Sequence, residues 1–140
     1  MKVNIYYGGR GVLDDPTLYV IQKMESVLIE LRVEVHRYNI YEQKNAISML
    51  PQTLKDVDGI ILATTVEWLG IGGYMNQFLD ACWLYGDKES ISSIYMQPVV
   101  MSTTYGEREG ALTLENAWET LGGLHCAGVG GEVEAIVSFQ

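Results

Sequence analysis

Short apolar strands alternating with amphipathic helices predict an α/β fold built on a parallel sheet. Three observations carry this. Residues 2–7 (KVNIYY), 60–63 (IILA) and 95–102 read as buried strands. Residues 16–31 and 74–82 repeat their apolar side chains at helical spacing. The stretches between strands are long enough for crossover helices, the pattern of βαβ units with right-handed connections and helices on both faces.

Each element follows in order. The first strand ends at Gly8-Gly9, and Asp15-Pro16 starts a helix, with Asp as N-cap and proline at the first helical position. Ile21, Met24, Leu28 and Leu31 form its inward stripe, widened by Val20 and Val27, with Lys23, Glu25, Glu30 and Arg32 largely between them. Residues 33–38 alternate as a second strand, Val33, Val35 and Arg37 on one face, Glu34 and His36 on the other. Residues 46–55 are a short helix or loop interrupted by Pro51. Asp58-Gly59 punctuates the third strand, and the next helix turns Met75, Phe78, Leu79 and Cys82 inward. Pro98 is the one awkward residue of the fourth strand. Residues 111–121 make a helix with Leu114, Ala117, Trp118 and Leu121 inward. A last short strand is expected in 124–130, and 132–139 reads as strand or the stub of a helix.

A chain of 140 residues is expected to form one domain, 1–140. Hydrophobic residues at 48% and charged residues at 19% suit a folded soluble protein. There is no apolar run of membrane-spanning length, and residues 1–5 are too short and polar for a signal peptide, so a cytoplasmic location without a membrane partner is expected. The net charge of −9 argues against nucleic acid or an anionic membrane as partner. It also requires any bound phosphate to be held by local groups. Cys82 and Cys126 lie in no CxxC or Cys/His cluster, so free buried thiols and no metal site are expected. No serine elbow, Walker loop or H-E-x-x-H is present. Hydrolase and metalloenzyme chemistry are unsupported, and no catalytic acid or base is assigned.

Ligands of open parallel sheets bind beyond the carboxyl ends of the strands. Three loops fall there: 8–15, 64–73 and 102–110. In the first, Gly8, Gly9, Arg10 and Thr17 are the pieces of an anion cradle, and Arg10 is its only cation. Asp15, as N-cap, would take the same amides that a phosphate needs. Two anions at one helix mouth repel by on the order of several kcal/mol. Asp14 and Asp15 therefore read first as a helix cap on a solvated turn. In the second loop, Gly70, Gly72 and Gly73 allow a tight path and close approach to a planar ligand, beside the positive end of a helix. The third, Ser102–Gly110, combines hydroxyls, Tyr105 and two glycines; it reads equally as a polar surface loop with a helix cap.

Residues 58–83, DGIILATTVEWLGIGGYMNQFLDACW, resemble flavodoxin-like proteins of the NAD(P)H-dependent FMN reductase type. In that family the third strand runs into T-P-V-Y-F-G-S-V-S-A-Q-M-K-A-F-L-D. Thr64, Val66, Met75, Phe78, Leu79 and Asp80 match, and Trp68 takes the aromatic position. Thr65 and Glu67 stand where the family has proline and tyrosine. Residues 99–123 look like its fourth strand, flavin loop and next helix. The resemblance covers essentially the whole chain and is weakest in the first loop, where the family's G-S-P-R-x-x-S-N-T is poorly kept.

The resemblance implies a three-layer flavodoxin-like sandwich with a five-stranded parallel sheet in the order 2-1-3-4-5, the last helix short or missing. It implies FMN as cofactor, with Gly9, Arg10 and Thr17 toward the phosphate, Thr64, Thr65, Val66, Glu67, Trp68 and Gly70 on one ring edge, and Thr103, Thr104, Tyr105 and Gly106 on the other. NAD(P)H would be the electron donor and a small molecule, a quinone or flavin, the acceptor. Trp68 either stacks on the ring or packs in a core or interface. Glu67 points to solvent or caps the helix near Gly72. Arg108 binds a nicotinamide-nucleotide phosphate or pairs with Glu107 or Glu109. A homodimer is implied, with Trp83-Leu84-Tyr85 as contact or core. The alternative function is a flavodoxin-fold protein that has lost FMN and acts through protein contacts. A one-electron carrier ranks third, because the T-x-T-G-x-T loop of flavodoxins is absent.

Overall fold

The computed structural model describes residues 1–103 and 105–125. Five parallel strands form one sheet: β1 (Lys2–Tyr7), β2 (Glu34–Asn39), β3 (Gly59–Thr65), β4 (Tyr95–Met101) and β5 (Leu124–His125). Their spatial order is β2-β1-β3-β4-β5, as expected. The helices are α1 (Pro16–Glu30), α2 (Gly73–Tyr85), the single turn α3 (Lys88–Ile91) and α4 (Glu107–Thr120). A 3-10 segment, Ile47–Leu54, stands where a short helix or loop interrupted by Pro51 is expected, and a second, Ile40–Gln43, precedes it. The expectations about 126–140, including the last helix, lie outside the described residues.

Period-two burial decides which helix covers which face. On one face Tyr6, Ile60, Leu62, Met96 and Val100 pack with Phe78 of α2 and Leu114 and Trp118 of α4. The Trp118 indole donates to the Ile94 carbonyl at 3.1 Å, so the largest buried side chain leaves no polar atom unpaired. On the other face Val3, Ile5, Tyr7, Ile61, Ala63 and Val99 pack with Val20 and Ile21 of α1. Pro98 interrupts neither β4 nor its register with β3.

Three expectations need correction. Val27 and Leu31 are exposed, because the inward arc of α1 is narrower than the sequence stripe and stops at Val20, Ile21, Met24 and Leu28. Beside Val27 an apolar groove of about 1050 Å³ opens between α1 and the amino-terminal halves of β1 and β3. α4 begins at Glu107, a turn earlier than its apolar stripe suggests. α3 was not foreseen; four residues make too short a helix to show a period.

Strand order reverses between β1 and β3, where the connections from β1 and β3 leave toward opposite faces. The three loops expected to form the site therefore share the carboxyl edge of the sheet.

Candidate functional site

The first loop is organised around one carboxylate. Asp15 caps α1 and is buried to 6% exposure. Its Oδ1 accepts from the Thr17 amide at 3.0 Å and from the Thr65 hydroxyl; its Oδ2 accepts from the Tyr7 hydroxyl. The Tyr7 oxygen in turn accepts the Gly11 amide at 3.2 Å. Burial, and then the hydrogen bond to Asp15, raises the Tyr7 phenol above its ordinary range, so it remains a donor. Thr17 is fully buried; its hydroxyl donates to the Thr64 carbonyl at 3.0 Å and lies 2.7 Å from Thr65 Oγ1. Gly9 closes the knot: a methyl there would collide with the Tyr7 hydroxyl and stand 2.8 Å from Asp15 Oδ2.

Arg10 and Thr17 thus have other partners than a phosphate. The Arg10 Nε sits 2.7 Å from Glu67 Oε1, linking the first loop to the second. Glu67 neither faces solvent alone nor caps α2, whose N-cap Gly72 has no side-chain cap. The pairing offsets the charge of Glu67, which would otherwise oppose a ligand that becomes anionic. At 65% exposure for Arg10 the pair contributes about 0–1 kcal/mol.

The second loop is a tight turn. Glu67 and Gly70 exchange backbone hydrogen bonds, 3.0 Å from the Glu67 amide and 2.8 Å from the Gly70 amide. The two residues at its tip, Trp68 and Leu69, have φ of 50° and 68°. Both side chains are exposed, Trp68 to 96%. Trp68 is therefore neither core nor stacked on the protein's own side chains. Two bonds anchor the turn to the sheet: the Val66 amide donates to the Met101 carbonyl at 2.9 Å, and the buried Thr64 hydroxyl to the Ile71 carbonyl at 2.8 Å. Gly72 adopts φ 89°, and a side chain there would press on Glu67 Oε2 at 3.3 Å, so the turn requires glycine at this position.

The third loop meets the second where Gly106, at φ 107°, lies against Val66. Thr103 and Tyr105 are exposed. Thr104 lies outside the described residues. Ser102 donates to Glu107 in the first turn of α4, which holds the Glu107 carboxyl below its ordinary range.

Gly9, Arg10, Thr17, Thr64, Thr65, Val66, Glu67 and Gly70 are thus brought into one hydrogen-bonded and packed unit at the switch point. Trp68 on the second loop, Thr103 and Tyr105 on the third and Val12 and Leu13 on the first are exposed. Tyr7 was missed in the sequence, although a tyrosine ending a strand before Gly-Gly was a signal in plain view. Among the described residues no cluster of His, Cys, Asp and Glu could hold a metal ion. Nor is any helix among them long and apolar enough to cross a membrane. Burial pushes the Cys82 thiol up to about 12, so it is a core group.

No protein-family model matches the chain, and no curated protein does. Solved structures do. RosB with bound 8-demethyl-8-formylriboflavin-5'-phosphate matches with a TM-score of 0.75 at 13% identity over 92% of this chain, which spans 63% of the RosB chain. The NAD(P)H:quinone oxidoreductase from Methanothermobacter marburgensis gives a TM-score of 0.75 at 10% identity, covering 99% of this chain and 92% of that one. An FMN-dependent NADH-azoreductase from Bacillus anthracis str. Ames Ancestor, in complex with FMN, gives 0.71 at 12% identity and covers 99% of both chains. Sheet order, crossover pattern and these matches agree on one conclusion: the chain has the flavodoxin-like fold.

Proposed function

We propose that this protein is a flavin-binding oxidoreductase that takes electrons from NADH or NADPH and delivers them to a small acceptor such as a quinone or a second flavin. The observation that carries this reading is the strained Trp68-Leu69 turn at the β1/β3 switch point. Non-glycine residues at positive φ cost about 1–2 kcal/mol each and cluster at functional sites; Arg32 and Asp56 carry the same strain singly elsewhere, whereas here two consecutive residues do. The turn holds an indole and a leucine in solvent at the carboxyl edge of the sheet, where ligands of this fold class bind. Tyr105 on the third loop and Val12 and Leu13 on the first are exposed as well, so each loop of this edge contributes apolar side chains to its rim. That rim suits a flat aromatic ring. The fold shared with an NAD(P)H:quinone oxidoreductase and an NADH-azoreductase supports the redox class.

FMN itself does not fit at the phosphate end, because Asp15 fills the mouth of α1. The flavin ring would supply the redox chemistry. The chain's part is to bind and orient it: Trp68 and Tyr105 against the ring, and Arg10 holding Glu67 in a neutral pair. We further propose a cytoplasmic homodimer in contact through Trp83, Leu84 and Tyr85, all exposed at the end of α2.

The test uses lumiflavin, the ring with no tail, in a fluorescence-quenching titration of the purified protein, followed by absorbance of NADH and NADPH with a quinone present. Quenching together with flavin-dependent nicotinamide oxidation is the expected result. A second reading, a protein-contact module that has lost its flavin, is favoured by the same exposed apolar rim. Absence of lumiflavin binding would leave that reading in place of the first.

A further inference from the structure

The knot around Asp15 bears on which flavin the site takes. This inference rests on the flavin reading above. In this fold class a phosphate is held where a helix start presents free amides and positive potential. Here Asp15 lies in that position, with 6% of its surface exposed. Thr17 N–H, the Thr65 hydroxyl and the Tyr7 hydroxyl, all suited to a phosphate oxygen, converge on its two oxygens. Gly9 packs so closely over the cluster that even a methyl finds no room. A phosphate would have to displace a carboxylate that is part of the folded core.

Charge points the same way. Arg10, the cation of this loop, is already paired with Glu67. Asp14 is exposed next to the mouth. An arriving phosphate dianion would therefore meet three carboxylates and one engaged guanidinium, on a chain of net charge −9.

We infer that Asp15 is a built-in substitute for the ligand's phosphate, and that this protein selects a flavin without a terminal phosphate, riboflavin before FMN. Asp15 is a specificity-determining residue of the site. Its carboxylate occupies the mouth of α1 and repels a phosphorylated tail, while a neutral polyol tail meets no such repulsion.

The experiment compares lumiflavin, riboflavin and FMN by fluorescence quenching with the wild-type protein at low and high salt. Riboflavin is expected to bind at least about tenfold more tightly than FMN, from like-charge repulsion alone, and the gap should narrow as salt screens it. Asp15→Asn keeps the shape and the helix cap while removing the charge; it should narrow the gap at low salt. Asp15→Ser also opens the mouth and should bring FMN level with riboflavin or above it. Circular dichroism checks that each variant is folded, and the wild-type ratio decides the matter if Asp15→Ser is not. FMN binding as tightly as riboflavin to the wild type overturns the inference while lumiflavin binding upholds the flavin reading. No binding of lumiflavin or riboflavin overturns both.

Discussion

At the scale of single residues, Asp15 does two jobs that are usually divided between a side chain and a bound anion. It ends the orphan Thr17 amide of α1, and it gives the Tyr7 and Thr65 hydroxyls an acceptor inside the protein. Removing it takes the acceptor from the buried Thr17 amide and Tyr7 hydroxyl. Losing an N-cap costs about 0.5–2 kcal/mol and an unsatisfied buried donor about 1–3 kcal/mol, so Asp15→Ala is expected to destabilise the fold by roughly 2–4 kcal/mol. Urea unfolding measures this directly. Tyr7→Phe in the Asp15→Ala background should cost less than Tyr7→Phe alone, since its partner is already gone. Strict additivity of the two changes would mean that the hydroxyl and the carboxylate do not act together.

Among the elements, the β3–α2 connection carries the most conformational tension. A two-residue turn with both φ positive favours Asn-Gly, yet Trp68-Leu69 occupy it. Replacing them by Trp68→Asn with Leu69→Gly should raise stability by about 1–2 kcal/mol, read as a higher thermal midpoint, while weakening lumiflavin binding. Gain without loss of binding would show that the turn is strained for some other purpose. The start of α4 offers a second test. The Ser102 hydroxyl holds the Glu107 carboxyl below its ordinary range, so this interaction stabilises the fold at pH above that range and is lost as pH falls through it. Carboxyl resonances followed through an acid titration should find Glu107 depressed in the wild type and raised toward the ordinary value in Ser102→Ala. Much of this layer was legible in advance. β3 showed as a continuous apolar run, and β1 as one broken only by Asn4, because parallel strands are buried on both faces, and the Asp-Pro start of α1 declared its cap. What stayed hidden depends on chain segments far apart in sequence. The Thr65–Asp15 bond joins residues 50 positions apart, and no local pattern sets the Arg10–Glu67 pairing. The early start of α4 was masked because Gly106-Glu107-Arg108-Glu109 has no apolar residue to signal a helix. Val27 misled because a heptad-like stripe is wider than the arc that one helix can bury.

Across the whole molecule, the two features that a single copy leaves unexplained are its charge and its exposed aromatics. Trp83, Leu84 and Tyr85 stand 57%, 60% and 63% exposed in one consecutive run, more apolar surface than a helix end usually leaves to water. Lys88 Nζ lies 5.8 Å from the centroid of the Trp83 ring, a cation–π contact at an exposed site. Two copies meeting through this run would bury apolar area, against the mutual repulsion of two chains carrying −9 each. Hydrophobic contact is insensitive to modest salt whereas the repulsion is screened, so the dimer should tighten as salt rises from low to physiological strength. Light scattering after gel filtration is expected to give twice the monomer mass in the wild type. Trp83→Ser with Leu84→Ser should give the monomer mass, with the far-ultraviolet spectrum unchanged because both side chains lie outside the core. A wild type that runs as a monomer at every salt concentration would discard the dimer and return Trp83 and its neighbours to the role of ordinary exposed surface.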